Sequence, residues 1–246
     1  MILLPYARPM APPIRPPSRQ ALWREGLTAV EPALLALNGI KLARQPRGDQ
    51  RTVVVLPGFG AGDLSTVPIR RYLRSIGYDA RGWGLGQNTG EVASFVGVMI
   101  DQVAAIAEEQ QRRVPVIGWS LGGVIAREVA RERPDLVEQV ITLGSPVVGG
   151  PKYTRVGQVY QARGADLDAI EQVVESRNAR PIRVPITAIY SKTDAIVAWQ
   201  ACIDHLNPQA EHVEVRTTHL GLGIHHDVFV EVAQRLSRPS APPRSA

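Results

Sequence analysis

Ser120 lies in Gly118-Trp119-Ser120-Leu121-Gly122, a serine with a glycine two residues to either side. A short apolar run, Val114-Pro115-Val116-Ile117, precedes it, and Leu121, Val124, Ile125 and Val129 follow at helical spacing. Strand, tight turn and helix in that order lift a serine hydroxyl clear of a sheet on a strained turn. Both glycine positions call for no Cβ, because side chains there collide across so sharp a bend. The helix that follows points free N–H groups and the positive end of its dipole at the space above Ser120. Such a place stabilises negative charge on an acyl oxygen. The chemistry these residues suit is attack on a carbonyl carbon through a covalent acyl intermediate.

A serine hydroxyl needs a base to take its proton. In an open parallel sheet the reacting groups gather at the carboxyl ends of the strands. Among five histidines, His219 lies just past the last predicted strand, in Thr217-Thr218-His219-Leu220-Gly221. His212 opens that strand, at the opposite edge of the sheet, and His205 falls on a predicted helix. His225 and His226, at the start of the closing helix, are the alternatives. The acid expected to orient the base is Asp194, in Ser191-Lys192-Thr193-Asp194 after the preceding strand. Asp204 and Asp227 fall on helices, and Asp166 and Asp168 in a strand-free insertion. The order Ser120, Asp194, His219 is the one this kind of serine site uses. Two N–H donors for an oxyanion are expected from the backbones of Leu121 and Phe59, the latter in Pro57-Gly58-Phe59-Gly60 after the first core strand.

The elements that must position these groups read as alternating strands and helices. Strands are predicted at 52–56, 78–83, 114–117, 137–143, 183–190 and 212–217, with helices at 67–76, 91–111, 121–133, 199–206 and 228–236. The uninterrupted apolar run Thr52-Val53-Val54-Val55-Leu56 is that of a strand buried on both faces. The expected fold class is α/β: a mostly parallel sheet of about six strands, helices on both faces, and a small helical cap. Residues 1–50 read as a Pro-rich arm and helix, 51–238 as the catalytic domain with a cap insertion at 151–181, and 239–246 as a disordered tail. A helix is expected from Ser18 to about Leu37, interrupted at Pro32 and stopped at Asn38-Gly39, with a short strand at 40–43.

The chain has 246 residues and a net charge of +5, with 44% hydrophobic and 21% charged residues. Four arginines stand in residues 1–24 and three in 235–246, with no acid in either stretch. The rest of the chain holds 21 basic against 23 acidic side chains. A nucleic-acid binder carries its basic stripe on the folded body, so this distribution argues against that partner. One cysteine, Cys202, excludes an internal disulfide. The apolar start stops at Pro5 with no basic leader, and no run approaches the length of a membrane span. A cytoplasmic location is the expectation from these two features. The glycine-rich loop after Leu56 reads G-x-G-x-G and lacks the spacing and the later acid of a dinucleotide site.

Six stretches together resemble the α/β-hydrolase superfamily, and within it bacterial lipases and esterases. They are LPGFGAGDLST (56–66), GWGLGQNTG (82–90), GWSLGG (118–123), TLGSP (142–146), YSKTD (190–194) and THLGLG (218–223). The resemblance implies hydrolysis of a small-molecule ester or lipid by Ser120, His219 and Asp194, with no metal or cofactor. An acyltransferase with the same triad, or a hydrolase fold used only for binding, are the alternative readings. In the insertion, Leu167, Ile170, Val173 and Val174 recur at helical spacing. Ile170 and Val173 are expected on one wall of an acyl pocket, with Phe59 and Trp83 opposite and Tyr153, Val156 and Tyr160 on the approach. So short a wall predicts a shallow site and a preference for short to medium acyl groups. The bland alternative is a fixed cap whose stripe only packs on the body.

Overall fold

Strand β1, Thr52–Leu56, is buried along its whole length, as its unbroken apolar run requires. It lies next to the centre of a six-stranded sheet in the order β2-β1-β3-β4-β5-β6. The others are β2 Asp79–Gly82, β3 Val114–Trp119, β4 Val137–Leu143, β5 Ile186–Tyr190 and β6 Glu211–Glu214. Every pairing is parallel. The chain first steps outward from β1 to β2, then crosses back to β3. The order therefore reverses between β1 and β3, and the crevice at their carboxyl ends is where an open α/β sheet binds its ligand. The computed structural model describes residues 13–207 and 209–238.

Parallel strands need crossover helices, and these cover both faces. On one face lie α1 Glu31–Leu37, α2 Gly39–Ala43, α3 Val67–Ser75 and α8 His226–Leu236. There Leu42, Ile69, Leu73, Val228 and Phe229 pack on Val53 and Val55, and the Tyr72 and Phe229 rings stack at 5.0 Å. On the other lie α4 Val92–Gln110 and α5 Leu121–Glu132, whose Met99, Val103, Ile125 and Val129 meet Val54, Val116 and Val140. Each such buried side chain contributes about 1.5–3 kcal/mol of transfer free energy. The insertion folds as a tight turn Gly150–Tyr153 and two helices, α6 Gly157–Ala162 and α7 Leu167–Asn178.

Three expectations need correction. Residues 40–43 are helical, not a strand: Asn38 closes α1 with a side-chain bond to the Leu34 carbonyl, and Leu42 N–H donates to the Asn38 carbonyl. The alternation of Ile40 and Leu42 suits one helical turn as well as a strand, and only Leu42 is buried. The helix expected at 199–206 is a single tight turn, Trp199–Cys202, because Asp204 accepts from the N–H groups of Leu206 and Asn207. The last strand stops at Glu214, before the expected 217, where hydroxyls of Ser191 and Thr193 take the Thr217 carbonyl. The N-terminal helix does break near Pro32, into a helical segment Arg19–Val30 followed by α1. The first twelve residues of the arm and the tail at 239–246 lie outside the described residues. No helix among the described residues is long and apolar enough to cross a membrane.

Candidate active site

The turn from β3 into α5 places Ser120 at φ 53° and ψ −122°, a left-handed-side conformation that a side chain rarely adopts. Close packing enforces it. A Cβ on Gly118 would stand 2.3 Å from the Gly122 carbonyl oxygen and the Gly123 backbone, and one on Gly122 would stand 2.5 Å from the Leu56 carbonyl oxygen. The Ser120 N–H is tied to the Leu143 carbonyl at 2.7 Å, which locks the elbow to β4.

His219 and Asp194 come from the loops after β6 and β5 and meet inside the protein. Nδ1–H of His219 donates to Asp194 Oδ2 at 2.6 Å, and both side chains are buried. The other Asp194 oxygen accepts from Ile196 and Val197 N–H at 2.8 and 2.7 Å, so the carboxylate cannot rotate freely. This leaves the His219 Nε2 lone pair as the basic site. Burial alone pulls the imidazole pKa down; the Asp194 charge, its hydrogen bond and the Glu25 charge outweigh that and hold it above the ordinary histidine value. The His219 ring lies 6.1 Å from that of Trp119, the residue before the serine. Ser120 Oγ forms no hydrogen bond with the imidazole among the described residues.

The loop after β1 packs against the elbow: a Cβ on Gly58 would come within 3.2 Å of Ser120 Cβ. Asn88, wholly buried, braces this loop. Its side-chain amide donates to the Pro57 carbonyl at 2.9 Å, its carbonyl accepts Gly60 N–H at 2.8 Å, and its N–H donates to Ala61 at 2.8 Å. Sequence reasoning passed over Asn88, although an asparagine inside a glycine-rich loop is a signal of side-chain bonds to backbone. It also passed over Glu25, whose carboxylate accepts the N–H groups of Ala195, His219 and Leu220 at 3.0, 3.1 and 2.9 Å. Nothing in the local sequence marks Glu25; only the packing of the N-terminal helical segment on the His219 loop does.

Ser120 opens on a mostly apolar cavity of about 400 Å³. Phe59, Leu121, Val124, Val156, Tyr160, Ile170 and Val173 share its wall with the serine. Along α5 the wall runs from Ser120 to Glu128, about 12 Å at 1.5 Å per residue. The far end is polar, where Arg127 pairs with Asp204 at 2.7 Å and Arg177 of the cap pairs with Glu128 at 2.8 Å. A shallow site was expected from the shortness of the insertion. Residues of both α5 and α7 line the site, and the two helices meet directly through Arg177–Glu128 and Arg131–Asn178. Trp83 is a correction: it is not part of the wall but fully buried, packed 4.8 Å from Phe95 with its indole N–H on the Gly86 carbonyl. Tyr153 likewise turns from the cavity to donate to Glu171 at 2.6 Å.

His225, His226 and Asp227 bring potential metal-ligand atoms within 4.8 Å of one another. The Lys41 ammonium already bonds Asp227 Oδ1 at 2.7 Å, and His225 Nδ1 accepts from Asp227 N–H, so these groups serve the start of α8 and its contact with α2. Neither histidine meets Asp194, whose imidazole partner is His219.

With this geometry in view, the likeness to known proteins is informative. A family model described as palmitoyl protein thioesterase matches residues 52–199, more than half of the chain. A pimeloyl-[acyl-carrier protein] methyl ester esterase of Aliivibrio salmonicida is 35% identical over 105 residues, 41% of this chain and 38% of that protein. Serine hydrolase BPHL of Mus musculus is 27% identical over 128 residues, 48% of this chain and 44% of that protein. The chain thus spans about two fifths of the length of these relatives. Among solved structures, the monoacylglycerol lipase of Paleococcus ferrophilus shares the fold with a TM-score of 0.55 at 14% identity, over 78% of this chain and 96% of that one. A bacterial membrane phospholipase A aligns over 87% of this chain and 96% of its own, with a TM-score of 0.53 and 16% identity. The six-stranded parallel sheet, the strained serine turn and the matched stretch agree: this chain belongs to the palmitoyl protein thioesterase family of the α/β-hydrolase superfamily.

Proposed function

We propose that the chain is a serine hydrolase that cleaves carboxylic esters and thioesters of medium-length acyl groups. The observation that supports this reading is a strained serine on the wall of an apolar cavity, in a protein whose loops after β5 and β6 also bring Asp194 and His219 together as a buried pair. The family's description names palmitoyl thioesters and the matched esterase a pimeloyl methyl ester, and both are acyl groups on an extended carbon chain.

In this mechanism Ser120 Oγ attacks the acyl carbonyl carbon while His219 Nε2 takes the hydroxyl proton. The carbonyl π electrons move to oxygen, and the N–H groups of Phe59 and Leu121 stabilise that oxyanion. As the tetrahedral species collapses, the bond to the alcohol or thiol breaks, and the imidazolium returns its proton to the leaving group. Water repeats the sequence on the acyl-serine and releases the acid. Asp194 holds the tautomer and stabilises the transient imidazolium. The acyl chain lies along the apolar wall that α5 and α7 share.

The test is covalent labelling of Ser120 by a fluorophosphonate probe together with hydrolysis of p-nitrophenyl esters. Ser120→Ala should abolish labelling and lower kcat by about 10⁶ with the fold intact. A folded Ser120→Ala protein with a tenth of the parent activity would sink the assignment.

A further inference from the structure

The N-terminal helical segment, 19–43, turns its acids inward and its apolar side chains out. Trp23, Leu27, Val30, Leu37 and Ile40 are exposed, Trp23 to 69%, Leu37 to 82% and Ile40 to 71%. They recur at steps of four, three, seven and three residues. A soluble protein rarely leaves so many large apolar side chains uncovered in one short segment, and such patches mark an interaction site. Two more exposed leucines stand on the loops that carry the candidate site: Leu220 beside His219, and Leu64 beyond the Phe59 loop.

The charges say what covers this face. Residues 13–48 hold six basic side chains and two acids. Both acids are spent on the body of the protein: Glu25 on three backbone N–H groups, and Glu31, buried, on the Thr217 hydroxyl at 2.7 Å. The charges this segment itself turns outward are all basic, Lys41 being paired with the half-exposed Asp227 of α8. Of the six, Arg15, Arg19, Arg24 and Arg44 are exposed and form no ion pair among the described residues. Exposed tryptophan and leucines set among unpaired arginines match the two layers of an anionic bilayer surface, acyl chains below and phosphates above. We propose that this face docks the protein on anionic lipid bilayers. Docking through the segment that also grips the His219 loop would hold the candidate site at the membrane surface.

The test is co-sedimentation of the full-length Ser120→Ala protein, which leaves lipid intact, with vesicles of phosphatidylcholine alone or containing phosphatidylglycerol. Binding is expected to the anionic vesicles and to fall with salt. Trp23→Ser/Leu37→Ser/Ile40→Ser, all exposed, should weaken it at least tenfold. Arg19→Glu/Arg24→Glu should do the same, at about fivefold per arginine. In the parent background, neither set should alter hydrolysis of a water-soluble ester, which separates docking from catalysis. Equal binding by the triple variant, or none by the unsubstituted face, overturns the proposal. So does a parent dimer that the triple variant dissolves, since the face would then be covered by a second copy.

Discussion

Glu25 Oε1 accepts the backbone N–H of His219 at 3.1 Å, so a carboxylate outside the matched family region holds the loop that carries the candidate base. The same oxygen accepts from Ala195, the residue after Asp194. One side chain thereby fixes the two loops whose meeting makes the imidazole–carboxylate pair. The contact is reinforced by the Thr28 and Thr218 hydroxyls at 2.6 Å.

Glu25→Ala should therefore lower kcat about ten- to hundredfold with little change in KM, the scale of a small misplacement of a catalytic group. Glu25→Gln keeps an oxygen for Ala195 and His219 and turns an amide toward Leu220 N–H, so it should recover part of the loss. Steady-state kinetics of the two variants on one ester check this. Equal, near-parent kcat in both would show that the loop holds itself.

The pH dependence carries a sign. The candidate base must be neutral to work, and the His219 pKa lies above the ordinary histidine value because Asp194 and Glu25 outweigh burial. Activity should then be lost as pH falls through a midpoint above ~6.5. Removing the charges that raise it moves the midpoint down: Glu25→Gln modestly, Asp194→Asn further, with a kcat loss of about 10⁴ for the latter. kcat/KM profiles give all three midpoints. A midpoint that rises in either variant contradicts the stated electrostatics.

The loops of the candidate site were legible because their residues are forced by local geometry. The Gly118–Gly122 spacing reports a turn too tight for a Cβ, and the unbroken run at β1 reports burial on both faces. The pairing of Asp194 with His219 was legible from strand order, even though β6 ends earlier than the apolar pattern suggests. Trp83 was misplaced because a tryptophan after a strand end serves a pocket or a core equally well in sequence. Its partner Phe95, twelve residues on in α4, decides the matter only in three dimensions. The role of Glu25 was hidden for the same reason: its partners lie about 170 and 194 residues away.

Asn88 should prove necessary to the Phe59 loop. Asn88→Ala strips the buried Pro57 carbonyl of its donor, a cost of about 1–3 kcal/mol. For a chain of this size that lowers Tm by about 2–4 °C per kcal/mol. If Phe59 N–H is an oxyanion donor, kcat should fall by about 10²–10³ as the loop loosens. Thermal melts and turnover on one ester measure the two effects. A melt shift with unchanged kcat would move the second donor elsewhere.

The course of the acyl chain can be tested from either wall of the cavity. Val124 stands one helical turn beyond Ser120 on α5, and Ile170 and Val173 of α7 line the same cavity. Val124→Phe puts added volume into open space rather than into the core, so the fold should tolerate it while the cavity is cut short near the serine. Acetate and butyrate esters, which do not reach past Val124, should keep kcat/KM within about twofold, whereas octanoate and decanoate should lose about 10–200-fold for the methylenes no longer accommodated. Ile170→Asp/Val173→Asp acts from the other wall: Ile170 is half-buried and Val173 exposed, so the fold should tolerate both changes, while charge and bound water beside the chain should penalise long acyl groups and spare acetate. The two walls must agree. If long and short esters suffer equally in both variants, and Tm falls with them, the α7 stripe is packing for the cap and the acyl chain leaves Ser120 by another route.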